Sequence, residues 1–308
     1  MIAGHAALGF LIAALAAYHL DVEPDKCLVI GFFAAAFAAL PDIDLVFASG
    51  EILTIFSSGS EGFINTFWSA SESFHRGITH NLLALLVSSV AFAYYREKND
   101  LKTAMLMLSL LSVFGLILNN LMSFMIMVVF SLAGILITYL SVDYIEKNGF
   151  RLALFTGHLS HPFGDVFTGV PPDFFFPLGL NLLESRIVLN QDPVLNLISI
   201  LLLELLILFL AVLTAIMLKE EDLRSHLTPA PLLGMIYIPL YFIVPEPTLS
   251  SAYIFVFLAV SLGFIANFLT HLLNGTDSEG HIINLHSLNF VLTFILASFS
   301  YAAAYLLF

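Results

Sequence analysis

The sequence predicts an all-α, polytopic integral membrane protein with about ten transmembrane helices. Two observations carry that prediction. Hydrophobic residues make up 59% of the 308 positions and charged residues only 11%, against roughly 25% charged in a soluble domain. Apolar runs also recur from end to end, each close to the roughly 20 residues that cross a bilayer. The net charge of −13 therefore belongs to loops and a few intramembrane points. No basic patch exists to neutralise phosphates, which argues against nucleic acid as a partner. The single cysteine, Cys27, excludes an intrachain disulfide and a Cys-rich zinc site.

Ile2–Leu20 reads as the first helix, with His5 near its start. It lacks the basic flank of a cleavable signal peptide, so it is expected to be retained. After the polar loop Asp21–Lys26, a second helix runs over Cys27–Leu40. It is expected to stop near Pro41, since a proline disfavours helix at the residue before it. Asp42 and Asp44 follow directly. Glu51–Phe74 mixes Gly, Ser and acids with Phe63, Phe67 and Trp68, and reads as an interfacial segment between the second and third helices. The third helix, Ile78–Tyr95, is preceded by His75-Arg76-Gly77 and carries His80 in its first turn.

Leu101–Leu140 is too long for one crossing and is split at Asn119-Asn120 into the fourth and fifth helices. The sixth, Phe150–Thr168, carries His158, His161 and Asp165. Pro162 cannot donate to the carbonyl of His158, so a kink is expected there. Val170–Asn190 reads as a loop with Pro171, Pro172, the triplet Phe174-Phe175-Phe176 and Pro177. The triplet is expected at the membrane interface, with a lid over the site as a weaker reading. Pro193–Leu218, Pro231–Val244, Ser251–Asn274 and Ile282–Phe308 complete the set. The chain divides accordingly into residues 1–190, which hold the candidate site, and 191–308, further helices of unknown role.

Lys and Arg in the loops set the orientation. With the N-terminus outside, the inner loops hold Lys26, Arg96, Lys98, Lys102, Lys147, Arg151, Lys219 and Arg224. Only Arg76 and Arg186 lie outside, the latter reading as an interfacial anchor. The same topology carries His5, Asp42, Asp44, His75, His80, His161 and Asp165 toward one outer face, from four separate regions of the chain.

Those residue types suit a metal. His161 and Asp165 are four apart and share a helical face, and His158 falls on the same stripe. Neutral imidazoles with carboxylates form a mixed N/O site for zinc, manganese or iron. His75 and His80 would stand about 140° apart on a continuous helix. A break at Gly77 lets both converge. The candidate ligands are His5, Asp42, Asp44, His75, His80, His158, His161 and Asp165. They outnumber the needs of one tetrahedral ion, which favours two divalent ions able to clamp a phosphoester. Asp44 and Arg76 are the candidate catalytic residues. Arg76 is either an anion clamp or one half of a buried ion pair with Asp42 or Asp44, and the ion pair is favoured.

These motifs resemble the YdjM-like family of membrane-bound metal-dependent hydrolases. That family carries an early histidine, a Pro-Asp-x-Asp turn, a His-Arg-Gly-x-Thr-His motif and a later Ser-His-x-x-x-Asp motif. Here they stand as His5, Pro41-Asp42-Ile43-Asp44, His75-Arg76-Gly77-Ile78-Thr79-His80 and Ser160-His161-Pro162-Phe163-Gly164-Asp165. Pro177-Leu178 also resembles the family, and the likeness spans about Met1–Leu180. Pro162 and Gly164 depart from it, standing where aliphatic residues are usual, and His158 is not a position of the pattern. More distantly, the His and Asp set is similar to that of zinc-dependent phospholipase C, a fold-level analogy.

The resemblance implies a metal-dependent hydrolase of the plasma membrane. Its site would lie on the extracytoplasmic side, and its substrate would be a phosphoester or other ester of a lipid or membrane-delivered molecule. The rival readings are a metal-ion or proton-coupled transporter and a non-catalytic membrane scaffold. No His-Glu-x-x-His helix and no Gly-x-Ser-x-Gly elbow is present. His271, His281 and His286 form a second cluster with Asp277 and Glu279. The topology puts it on the inner face, where it reads as loop contacts, with a second metal site as the lesser reading. Glu204 is a lone acid in an apolar helix, expected to be protonated or paired with a donor such as Asn267.

Overall fold

The structure, a computed structural model, describes residues 2–54, 66, 69, 75–167, 172–178, 180, 182–183, 185–219, 233–235, 258–266 and 285–307. Every regular element among them is helical. The chain forms two compact units, Met1–Val188 and Leu189–Phe308.

The first unit contains α1 (Ile2–His19), α2 (Pro24–Ala39), α3 (Leu82–Lys98), α4 (Leu101–Leu118), α5 (Leu121–Leu140) and α6 (Lys147–Gly164). Local chemistry sets most of their ends. Pro24 opens α2 at a position where its missing N–H costs nothing. Asn99 closes α3 in the left-handed conformation. Asp100 caps α4 by accepting from Thr103, whose hydroxyl and amide hold the carboxyl below its usual range. Asn120 caps α5 through the Ser123 amide. The break between α4 and α5 thus falls at Asn119-Asn120, where the sequence is split.

Other boundaries differ from expectation. α3 begins at Leu82, not Ile78, because Asn81 is its N-cap and Ile78–His80 form a separate 3-10 turn. α2 begins at Pro24, three residues before Cys27, and gives way at Ala39, close to the expected stop near Pro41, to a 3-10 stretch over Leu40–Thr54. α6 starts three residues earlier than expected, at Lys147. It passes through Pro162 and ends at Gly164, where a 3-10 turn over Asp165–Phe167 takes over.

α1, α2 and α6 pack closely because small residues face one another. A Cβ on Gly157 would collide with the Ala34 carbonyl and stand 2.8 Å from the Cβ of Phe37. Dispersion contacts and backbone approach, not hydrophobicity, hold helices together in lipid, and glycine permits that approach. Charged contacts join the far ends of the same bundle. Lys26 lies 3.9 Å from Glu146, and Arg96 donates to the Ile145 carbonyl at 2.7 Å. Arg151 Nε donates to Glu97 at 2.6 Å. The start of α2, the end of α3 and the start of α6 therefore share one end. The end of α2, the segment before α3 and the end of α6 share the other, and the candidate residues lie there.

In the second unit, α7 (Pro193–Leu218) is capped by Asp192, which accepts from the amides of Val194 and Leu195. Val212 and Ile216 of α7 pack on Leu292 of α8 (Leu285–Leu307). Ala259, in a helical stretch over 258–266, packs on Ala297 and Tyr301. Glu204 is half-buried in α7, while its suggested partner Asn267 lies outside the described residues.

Among the described residues, six helical segments are long and apolar enough to cross a bilayer, against the about ten expected. α3 and α6 are not among the six. A bilayer is the environment these segments require. The interfacial segment expected over 51–74 lies almost wholly outside the described residues, as do most of 231–244, 251–274 and the second histidine cluster.

The contact at Gly157 generates a test. Gly157→Ala should destabilise the protein by about 1–3 kcal/mol, the usual cost of overpacking. Thermal unfolding in detergent would read this as a lower midpoint, and an unchanged midpoint would remove the close approach from the account.

Candidate metal centre

Four chain regions deliver the site. α1 brings His5, the stretch after α2 brings Asp42 and Asp44, the turn before α3 brings His75, Arg76 and His80, and the end of α6 brings His161 and Asp165. All are buried or nearly so, with His80, His161 and Asp44 fully excluded from solvent.

Asp165 lies at the centre. One of its oxygens is 3.3 Å from His5 Nε2 and 3.3 Å from the Arg76 guanidinium. The other is 3.4 Å from His161 Nε2 and 3.6 Å from His80 Nε2. Asp42 Oδ1 lies 3.4 Å from His80 Nε2 and 3.7 Å from His161 Nε2. The rings follow in a chain, with centroid separations of 4.1 Å for His5–His161, 4.6 Å for His80–His161 and 4.8 Å for His75–His80.

Hydrogen bonds behind the rings fix which nitrogen faces the centre. His161 Nδ1 is 2.6 Å from the Ala38 carbonyl, which only accepts. Nδ1 therefore carries the proton, and the neutral ring turns the Nε2 lone pair inward. His75 Nδ1 lies 3.0 Å from Asp44. The Thr79 hydroxyl donates to the other Asp44 oxygen at 3.4 Å and lies 3.0 Å from His80 Nδ1, leaving it to accept from that ring. Asp44 thus sits behind His75 and His80, on the side away from Asp165.

The donor set could hold a metal ion. Among the described residues, His5 Nε2, His161 Nε2, Asp42 Oδ2 and both oxygens of Asp165 are buried without a hydrogen-bond partner. Buried polar atoms are nearly always satisfied, and a cluster of exceptions needs a reason. Three overlapping triads bring their ligand atoms within 4.8 Å of one another: His5/Asp42/His161, Asp42/His75/His80 and His80/His161/Asp165.

Two expectations are corrected. The ion pair of Arg76 is made with Asp165, not with Asp42 or Asp44, because Arg76 adopts φ +64° and its side chain crosses to the end of α6. His158 is not brought into the cluster. Its Nδ1 lies 2.7 Å from the Ser89 hydroxyl, and Phe37, Phe92 and Phe130 surround its ring. The stripe shared by His158 and His161 is wide enough that the earlier ring faces α3 and α5 instead.

Three contributors went unread in the sequence. Gly164 makes room for His5, since a Cβ there would stand 2.5 Å from its Cε1. That is the local reason for one departure from the family pattern. Thr79 relays Asp44 to His80. Asn81, signalled by a capping residue directly before an apolar run, ends the ligand-bearing turn. Of the aromatic triplet, Phe174 is buried against Phe163 at 5.7 Å.

Fold and site together define a membrane-embedded helical bundle with a buried His/Asp centre at one end. The chain belongs to the family described as YdjM inner membrane protein, whose match covers residues 1–223, reaching past the stretch that carries the motifs. No curated protein and no solved structure matches the chain.

The placement of His158 is open to a direct check. His158→Phe should keep the full metal content of the parent, with stability lowered by about 1–3 kcal/mol because the buried Ser89 hydroxyl loses its partner. Loss of metal from this variant would return His158 to the ligand set.

Proposed function

We propose that this protein is a membrane-bound metal-dependent hydrolase. It holds two divalent transition-metal ions, zinc first with manganese or iron as alternatives. It cleaves a phosphoester or other ester of a lipid or membrane-delivered substrate on the extracytoplasmic side. The observation that carries this reading is the set of buried imidazole nitrogens and carboxylate oxygens that lack hydrogen-bond partners and converge in three overlapping triads.

The ligand set we read is His5, Asp42 and His161 on one side and His75 and His80 on the other, with Asp42 common to both and Asp165 close to His5, His80 and His161. Asp44 serves as the carboxylate that orients His75 and His80, a role that fixes tautomer and ring angle. Bound ions would supply Lewis-acid polarisation of the ester and lower the pKa of water. Arg76 is 11% exposed, so its guanidinium can meet a phosphate oxygen while it remains anchored to Asp165. The surrounding bundle excludes bulk water and strengthens every charge interaction inside.

Charge supports the extracytoplasmic side. Lys26, Arg96, Lys147 and Arg151 cluster at the end of the bundle remote from the His/Asp centre. The positive-inside bias favours a cytoplasmic place for that end. A site at one end of its helices also counts against a transporter, whose binding residues lie near the midplane.

Elemental analysis of the purified full-length protein should find about two transition-metal ions per chain, as a two-metal site requires. His161→Ala and Asp165→Ala should each lower that content and abolish hydrolysis of a phospholipid phosphoester while the helix content stays unchanged. A chain that takes up no metal after supplementation would leave the scaffold reading. Arg76→Lys keeps the charge and loses the planar fork. Its kcat/KM should fall tenfold or more, the order of one charged hydrogen bond of about 1.5–3 kcal/mol, with metal content retained. A variant that instead fails to insert would make the Asp165 pair purely structural.

A further inference from the structure

Asn81 uses every hydrogen-bonding group it has. Its Oδ1 accepts from the amides of Leu83 at 2.8 Å and Ala84 at 3.1 Å, closing the N-terminus of α3. Its Nδ2 donates to the carbonyls of Asp173 at 2.9 Å and Phe176 at 3.0 Å. The amide orientation is chemically forced, because amides only donate and carbonyls only accept. The next residue adds a backbone link, Leu82 N to the Phe174 carbonyl at 3.0 Å. Asn81 also follows His80 directly, and its own amide donates to the Ile78 carbonyl at 3.2 Å, which closes the 3-10 turn that carries His80.

No other favoured N-cap residue does both jobs. Asp, Ser and Thr cap helices as well as Asn, but none of them donates twice. A requirement for helix capping alone is met by any of the four; a strap across to residues 173–176 needs the carboxamide. The strapped segment is itself seated: Phe174 is buried, with its ring against Phe163, which stands between His161 and Asp165 in the chain.

We infer that Asn81 is a positioning residue that locks the turn carrying His80 to the loop 172–178, so that the ligand-bearing turn and the loop beside it hold their places as one unit. The inference rests on the metal-centre reading for its effect on ion affinity, and on geometry alone for the strap. Residues that fix the orientation of metal ligands are typically worth ten- to a hundredfold in affinity. Their removal leaves the ligands present but loosely held.

The test separates the two jobs of the side chain. Asn81→Asp and Asn81→Ser keep an acceptor for Leu83 and Ala84 and lose the paired donors to Asp173 and Phe176. Each would be made in full-length protein in lipid nanodiscs, in a Cys27→Ala background with Leu178→Cys carrying a spin label. Leu178 is 62% exposed and lies on the strapped loop. Label mobility would be read by electron paramagnetic resonance, and zinc affinity by competition with a chromophoric chelator.

The expected result is a more mobile label and an affinity lower by about ten- to a hundredfold in both variants, with helix content that of the parent. A label as immobile as in the parent, in both variants, would overturn the strap. A mobile label with unchanged zinc affinity would overturn the positioning role. If the parent itself binds no zinc, the hydrolase reading falls, and the label alone then decides whether Asn81 ties the loop down.

Discussion

Burying carboxylates in an apolar bundle is the constraint on which the rest depends. Asp42, Asp44 and Asp165 are all within the protein, where an uncompensated charge is costly. The fold's answer is one guanidinium beside Asp165 and a ring of imidazoles whose inward nitrogens, with the carboxylates, could hold a cation. That answer requires α1, α2 and α6 to approach closely enough for side chains of α1, α6 and the stretch after α2 to meet. Gly157 allows α6 to lie against the backbone of α2, and Gly164 opens the space that the His5 ring fills. The polar centre is therefore bought with small residues in helix interiors, where glycine lowers intrinsic helix stability. In lipid the exchange is favourable, because packing and not propensity holds such helices together.

The candidate ligands divide into those on rigid helix and those on turns. His5 and His161 belong to helices, and His161 is locked by the Ala38 carbonyl. Asp42 and His80 lie in 3-10 segments. Turns bring ligands together from directions a helix cannot supply, as the five-residue spacing of His75 and His80 requires. They also need bracing, since few of their own backbone hydrogen bonds hold them. Asp44, Thr79 and Asn81 brace this one from three sides.

Much of this was legible in the sequence, for identifiable reasons. Apolar length located α1, α4, α5 and α7, and Asn119-Asn120 stood out because paired asparagines interrupt an apolar run. Loop charge assigned His5, Asp42, Asp44, His75, His80, His161 and Asp165 to a common end without any reference to ligand chemistry. The illegible parts share a cause. Helical periodicity gives the stripe of a residue but not which neighbour stands opposite it, so His158 reads as a ligand although three phenyl rings and Ser89 enclose it. A left-handed residue redirects a side chain in a way spacing does not encode, so the partner of Arg76 was misassigned. Gly164 read as a departure from a pattern, and its reason is a ring from a helix more than 150 positions earlier in the chain.

Charge accounting bears on the proposed substrate. With neutral imidazoles, three carboxylates against one guanidinium leave the cluster negative. One divalent cation would neutralise it, and a second would make it positive. A neutral centre has no electrostatic reason to prefer an anionic ester over an uncharged one. A positive centre does, and in a low-dielectric setting the preference is large. The two-ion reading and the phosphoester reading therefore support each other. Arg76 fits the same logic from the rim. Its ion pair with Asp165 draws on an oxygen that the metal reading also needs, so a bound cation would weaken the hold of Asp165 on the guanidinium. The guanidinium, still beside Asp165, would then have charge to spare for an incoming phosphate. The residue that partly offsets the carboxylates would, by the same electrostatics, be the one turned toward an anionic substrate if cations are bound.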